Sequence, residues 1–231
     1  LIKEYESYPG IRNFLPDLPD PALQQMWNGT SGPALAAQSV CFYRKLKEMQ
    51  KAHGESKLKK SKVLDFGCGW GRLTRMLAKD LKPGNLYGCD PVDDILDVCR
   101  QGGVPADLAR SEFLPETLPF SEKFDLIFAF SVFTHISEAA HIASLKAIHD
   151  GLEPGGLFVV TIRPPAYVDF NPLMQPAIER LGPNYHDELL GSKYVFVPHE
   201  TNGHPQYDSA AEAAMSYGET IITLPYIRNR W

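Results

Sequence analysis

Residues 63–72 read Val-Leu-Asp-Phe-Gly-Cys-Gly-Trp-Gly-Arg, an apolar run broken by three glycines on alternate positions and followed by a helical pattern. Glycine reaches positive φ without a Cβ penalty and lets backbone approach a ligand closely, and a helix that follows it offers unpaired N–H groups. The segment therefore reads as strand, tight turn, helix. The same alternation continues along the chain: a strand over 62–66, a helix over 72–81, a strand over 85–89 and a helix over 93–101. After a strand or loop near 106–109 come a strand over 125–130, a helix over 137–151 and a strand over 157–162. The strands are almost wholly apolar, as parallel strands covered on both faces must be. The fold expected is α/β: a doubly wound, mostly parallel sheet with helices on both faces, whose ligands bind beyond the carboxyl ends of the strands.

The chain has 231 residues, enough for one large domain, and proline divides it into three zones. Residues 1–33 carry five prolines and read as an irregular arm with one short helix near 22–27; residues 34–163 are the regular core, opened by an amphipathic helix over 34–53. Residues 164–231 form a proline- and aromatic-rich extension with strand candidates only at 194–197 and 220–224. The arm (Tyr5, Tyr8, Arg12, Phe14, Trp27) and the extension are expected to act as lids over the ligand edge and to enclose the second substrate. The aromatics of the extension, Tyr167, Phe170, Tyr185, Tyr194, Phe196, Tyr207, Tyr217 and Tyr226, offer walls for an acceptor pocket, but most are expected to build core. A content of 44% apolar and 22% charged residues excludes a disordered or fibrous chain. The net charge of −5 offers no field for nucleic acid or anionic lipid, so neither is an expected partner. No apolar run is long enough to span a bilayer, and the start Leu-Ile-Lys-Glu-Tyr lacks a basic-then-apolar leader, which makes the cytoplasm the expected compartment. The four cysteines (41, 68, 89, 99) form no CxxC pair, so buried reduced thiols are expected and no metal is; Cys68 and Cys89, at successive strand ends, are expected neighbours.

The glycines at 67, 69 and 71 do not match the dinucleotide fingerprint, since its sixth position falls on Arg72 or Thr74. With Asp65 two residues before the first glycine, the segment resembles instead the first motif of the Rossmann-fold (class I) S-adenosylmethionine-dependent methyltransferases. Three further stretches resemble the same family in order. Leu-Tyr-Gly-Cys-Asp-Pro ends at Asp90 and Pro91, where a carboxylate accepts two hydrogen bonds from ribose hydroxyls and repels a 2′-phosphate. A simple helix cap is the alternative role for Asp90. Ser111-Glu112-Phe113-Leu114 corresponds to the family segment bordering adenine, with either Ser111 or Glu112 as the polar reader. The run from Phe124 through Phe130 and Ser131 to His135, followed by Leu-Glu-Pro-Gly-Gly at 152–156, corresponds to the fourth strand and the turn into the fifth. The resemblance spans about residues 60–163 and implies S-adenosyl-L-methionine as cofactor, bound by Asp65, Gly67, Cys68, Gly69, Gly71, Asp90, Pro91, Ser111, Glu112, Phe130 and Ser131. It implies methyl transfer to a small-molecule acceptor such as a sugar, natural product or other metabolite; a non-catalytic cofactor-binding protein is the alternative.

A dedicated base is optional in such a reaction, because the leaving thioether needs no proton. His135, just after the fourth strand, is the candidate base for a hydroxyl acceptor, with a backbone-fixing or pocket-lining histidine as the other reading. His141 and His149 fall within a helix and are expected on the surface, whereas His186, His199 and His204 lie in the extension. The family fold ends with an antiparallel strand pair. Here that part of the sheet is expected to be either truncated or rebuilt by the segments at 194 and 220.

Overall fold

The computed structural model describes residues 16–199 and 217–231. Tyr5, Tyr8, Arg12, Phe14, His204 and Tyr207, singled out in the sequence, lie outside the described residues. The chain forms two compact units. The first holds the chain up to Ser111 with Pro119–Phe128 and Gly151–Val159; the second holds Glu112–Leu118, Ala129–Asp150 and Val160–Trp231.

Strands β1 (Val63–Phe66), β2 (Leu86–Asp90), β3 (Asp107–Arg110), β4 (Phe124–Ala129) and β5 (Leu152–Val160) form one sheet in the order β3-β2-β1-β4-β5. β1 pairs in parallel with β2 (Asp65 opposite Gly88) and with β4 (Val63 opposite Leu126), and β2 pairs in parallel with β3 (Asp90 opposite Arg110). Strand order reverses between β1 and β4, the position at which doubly wound sheets bind ligands. Every residue of β1 and β2 is buried, whereas β3 and β5, at the two edges, are partly exposed. The undecided segment near 106–109 is thus a strand.

β5 corrects the expected span of 157–162. It begins at Leu152, and Gly155 within it has φ 77°, so the expected Pro-Gly turn is kept at the start of the strand. Proline is tolerated there because an edge strand leaves N–H groups unpaired on one side.

The helices of the first unit follow local chemistry. In α1 (Pro21–Asn28) the Asp20 carboxylate accepts from the Ala22 and Leu23 N–H groups at 2.8 and 3.0 Å, and the helix ends at Gly29 with φ 69°. α2 (Gly32–His53) starts ahead of the expected residue 34 because Pro33 sits in its first turn, where the missing N–H costs nothing. The helix expected over 72–81 shrinks to α3 (Thr74–Leu77). Around it the backbone makes tighter i→i−3 bonds, Met76 to Leu73 at 3.0 Å and Asp80 to Leu77 at 2.9 Å. α4 (Asp93–Gln101) buries Ile95, Leu96 and Cys99 on one face.

The second unit contains α5 (Glu138–Gly151), two 3₁₀ turns (Pro165–Asp169 and Pro172–Met174), α6 (Gln175–Leu181), α7 (Tyr185–Glu188), β6 (Tyr194–Pro198), β7 (Gly218–Ile222) and α8 (Leu224–Arg230). β6 and β7 pair antiparallel as a separate two-stranded sheet, so neither rebuilds the larger one. Among the described residues, three helices thus occupy a zone expected to carry only strand candidates. Pro176 and Pro225 lie in the first turns of α6 and α8, where proline starts a helix and does not break it. The core of this unit gathers Val168, Met174, Ala177, Leu189, Val195, Val197 and Ile221.

The expected surface position of His141 is corrected here. His141 is buried, 1% exposed, because it shares the inward face of α5 with Ser144 and Ile148 and accepts a 2.9 Å hydrogen bond from the Trp231 indole. Burial lowers its pKa to about 4. Phe170 is 81% exposed and contributes nothing to core.

In the first unit Phe124 is fully buried, edge-on to Tyr87 with ring centroids 5.1 Å apart. Phe124→Ala is expected to lower unfolding free energy by about 3–5 kcal/mol in chemical denaturation, from lost burial and a residual cavity. A loss below about 1 kcal/mol contradicts this placement of the core.

Candidate cofactor site

The glycine turn leaves β1 through three residues with left-handed φ: Gly67 at 77°, Gly69 at 52° and Gly71 at 77°. The N–H groups of Gly67 and Cys68 both donate to the Cys89 carbonyl, at 2.8 and 2.9 Å, which ties the turn to the end of β2. The glycines serve different needs. A Cβ on Gly71 would lie 2.6 Å from the Cys99 Sγ and 3.0 Å from Val104, so this glycine lets the turn pack on α4. A Cβ on Gly69 would meet nothing within 4 Å, so this glycine borders open space.

Asp90 ends β2 beside that opening. Its Oδ2 accepts from the Gly69 N–H at 3.0 Å and its Oδ1 from the Val92 N–H at 3.1 Å. The second bond is the local turn role expected of an aspartate before a helix. Each carboxylate oxygen has a second lone pair, so the turn role and acceptance from a diol are compatible. Burial raises the Asp90 pKa to about 6, against the opposing pull of the two N–H donors. Asp65 lies deeper, 2% exposed, and accepts from the Thr74 hydroxyl at 2.6 Å. Burial raises its pKa to about 7, and the Thr74 bond and the Arg72 charge pull the other way. Arg72, itself lowered to about 10 by burial, donates to the Gln38 side chain at 2.6 Å.

Ser111 is buried, and its N–H donates to the Asp90 carbonyl at 3.1 Å. The first unit therefore brings together Asp65, Gly67, Cys68, Gly69, Gly71, Asp90, the half-buried Pro91 and Ser111 at the carboxyl ends of β1, β2 and β3. All four cysteines are free. Cys68 and Cys89 are neighbours through backbone, but the thiol that hydrogen-bonds to Cys68 is that of Cys99.

Two residues that hold the turn escaped the sequence reading. Trp70 is 3% exposed, packs with Leu35 and Ile95, and donates from its indole to Asn28 at 3.0 Å. Arg75 lies over the Trp70 ring and donates to the carbonyls of Gly71 and Trp70 at 3.0 and 2.9 Å. The available signal was a large aromatic set between glycines, which has to be buried somewhere.

The remaining expected site residues belong to the second unit. Glu112 and Ser131 are exposed and Phe130 is half-buried. Ser131 has φ 64°, the one positive value outside glycine among the described residues, and its N–H donates to the Thr161 hydroxyl at 2.8 Å. Both ring nitrogens of His135 are engaged. Nδ1 lies 2.8 Å from the Gly218 carbonyl and Nε2 lies 2.9 Å from an Arg163 nitrogen, so Nδ1 carries the proton and Nε2 accepts. Burial, then the Arg163 charge, lowers the His135 pKa to about 4. Glu219 is 4% exposed and is shared by Arg163, the Tyr167 hydroxyl at 3.1 Å, Asn171 at 2.9 Å and His199 at 2.8 Å. Burial pushes its carboxyl up, but the His199 hydrogen bond and the His135 and Arg163 charges outweigh this and hold it below the usual range.

A family model described as a methyltransferase domain matches residues 63–156, the span from β1 into β5. The matched span holds the glycine turn and the carboxylate at the end of β2, and over it the chain is similar to methyltransferase domains. The ubiquinone biosynthesis O-methyltransferase of Actinobacillus pleuropneumoniae is 36% identical over 123 residues, 49% of this chain and 49% of that protein. The trans-aconitate 2-methyltransferase of Rhizobium rhizogenes is 27% identical over 122 residues, 53% of this chain and 46% of that protein. This chain thus spans about half the length of these relatives. A solved S-adenosylmethionine-dependent methyltransferase from Clostridium acetobutylicum is 17% identical, with a TM-score of 0.47 over 78% of this chain and 62% of that one.

The two glycines separate folding from binding. Gly71→Ala is expected to destabilise the fold by about 1–3 kcal/mol through overpacking against Cys99. Gly69→Val is expected to stay folded, at a backbone cost of about 1–2 kcal/mol, and to lose S-adenosylhomocysteine binding by calorimetry. A folded Gly69→Val chain that binds normally contradicts the assignment of the open side of the turn.

Asp65 gives a pH signature. Its folded pKa of about 7 lies well above the ordinary aspartate value of about 3.9, so folding takes up a proton between those values. Its contribution is complete below about pH 4 and is lost as pH rises through 7. Asp65→Asn should therefore become progressively more stable relative to the parent chain from pH 4 to 7.5 in urea titrations. A constant difference across that range contradicts the raised pKa.

Proposed function

We propose that this chain transfers the methyl group of S-adenosylmethionine to an oxygen of a small-molecule acceptor. The observation that carries the reading is the pairing of Asp90 with Gly69, a carboxylate fixed by backbone N–H groups beside a glycine that opens on free space. The cofactor supplies a methyl group on a sulfonium, whose departure leaves a neutral thioether. The chain's own residues would bind and orient. Asp90 would accept from the ribose hydroxyls, the left-handed turn at Gly67–Gly71 would let the amino-acid end approach backbone, and Ser111 would border the base. Asp65, bonded to Thr74, would hold the turn from beneath. With both ring nitrogens occupied, His135 would fix the turn after β4 and would not remove a proton.

An oxygen acceptor of small size is supported by the relatives, named for ubiquinone biosynthesis and for trans-aconitate. The net charge of −5 supports the same choice over a nucleic acid. Among the described residues no helix is long and apolar enough to cross a membrane.

Asp90→Ala is expected to weaken S-adenosylhomocysteine binding by about 1.5–3 kcal/mol, the range for charge-assisted hydrogen bonds. In the parent chain affinity should fall as pH drops through about 6, where Asp90 takes up a proton. Incubation with methyl-labelled S-adenosylmethionine and a panel of hydroxylated and carboxylated metabolites should release label into at least one product. Tight cofactor binding with no transfer across the panel indicates a cofactor-binding protein without turnover.

A further inference from the structure

We propose that His135, His199 and Glu219 form a binding site for a divalent transition-metal ion within the second unit. They come from three separate segments, the turn after β4, the residue following β6, and β7 itself, and their donor atoms lie within 4.8 Å of one another. His199 Nε2 is 2.8 Å from Glu219 Oε1, and His135 Nδ1 is 3.6 Å from the same oxygen. Bonds of about 2.0–2.1 Å at tetrahedral angles place donors about 3.3 Å apart, so these separations need only small side-chain shifts to close on one ion. Two imidazoles and one carboxylate suit zinc, cobalt or nickel in preference to magnesium or calcium, which take oxygen ligands. Three protein donors leave a coordination position free for a water or a ligand oxygen.

The surroundings set the carboxylate for this role. Arg163, the Tyr167 hydroxyl and Asn171 all converge on Glu219 Oε2, which leaves Oε1 facing the two imidazoles. Such supporting hydrogen bonds hold a ligating carboxylate in place. Arg163 also limits the affinity. Without metal it donates from Nη2 to His135 Nε2 at 2.9 Å while the His135 Nδ1 proton points at the Gly218 carbonyl. Loading moves that proton to Nε2 and displaces Nη2, and the Nη1 bonds to Glu219 and to the Thr134 carbonyl remain. The ion therefore has to displace three hydrogen bonds, Arg163 Nη2 to His135 Nε2, His135 Nδ1 to the Gly218 carbonyl and His199 Nε2 to Glu219 Oε1, which makes the site a moderate binder. Metal spacing along a single helix could not disclose this site, because its donors lie 64 and 20 residues apart.

The test uses the full chain stripped with a chelator and titrated with zinc chloride by calorimetry, and with cobalt chloride by absorption between about 500 and 650 nm, where a low-symmetry nitrogen–oxygen site absorbs strongly. One ion per chain is expected. His199 is only half-buried, so His199→Ala should fold, as checked by circular dichroism, and should weaken binding at least about tenfold. Glu219→Gln should do the same where it folds. Cys41→Ser, which removes the one exposed thiol, should leave binding unchanged. Absence of stoichiometric binding, or binding that survives His199→Ala, overturns the proposal and leaves the three residues as a hydrogen-bonded group. Neither readout uses methyl transfer, so the result stands apart from the proposed reaction.

Discussion

The hydrogen bond from the Gly69 N–H to the Asp90 carboxylate is the contact on which the candidate cofactor site of the first unit depends. It fixes a turn that few sequences can hold, with three left-handed residues in five, to the carboxyl end of the neighbouring parallel strand. The Cys89 carbonyl adds two further anchors, and the Trp70 indole and Arg75 guanidinium clamp the turn from outside. A buried carboxylate is costly to keep charged, and here N–H donors lower that cost where a ligand diol would lower it further. The same burial raises the affinity of Asp65 and Asp90 for protons, so site chemistry and stability are coupled through pH.

The second unit is organised around another buried carboxylate, Glu219. Arg163 neutralises it, and tyrosine, asparagine and histidine satisfy its remaining lone pairs. A buried ion pair of this kind contributes little net stability, since desolvation offsets attraction, but it permits few alternative arrangements of the groups around it. The groups around it come from residues 135 to 219, so they join the turn after β4, the segment after β5, and the antiparallel strands β6 and β7 within this unit.

The alternation of apolar runs with helical patterns made the sheet legible, because strands buried on both faces leave an unbroken apolar signal. The glycine spacing set the turn apart from the dinucleotide pattern, whose sixth position falls on Arg72 or Thr74 here. What the sequence did not disclose has physical reasons. The prolines at 176 and 225 read as breakers, although proline fits the first turn of a helix as well as a loop. His141 looked solvent-facing because helical periodicity does not say which face is turned inward when small residues line both. The start of edge strand β5 was not legible because the Glu-Pro-Gly-Gly segment carries both the turn, with Gly155 at φ 77°, and the first residues of the strand. The Glu219 group could not be found from spacing at all, since it is assembled by tertiary folding.

The central claim is that S-adenosylmethionine binds at the left-handed turn beside Asp90. It is tested most directly by following backbone amide resonances of the isotope-labelled chain as S-adenosylhomocysteine is added, with NAD as a control. The account predicts that the amides of Gly67–Gly71, Val92 and Ser111 shift most, in a saturable manner, and that NAD leaves them unmoved. Saturable shifts confined to other parts of the chain, or equal shifts with NAD, would contradict it.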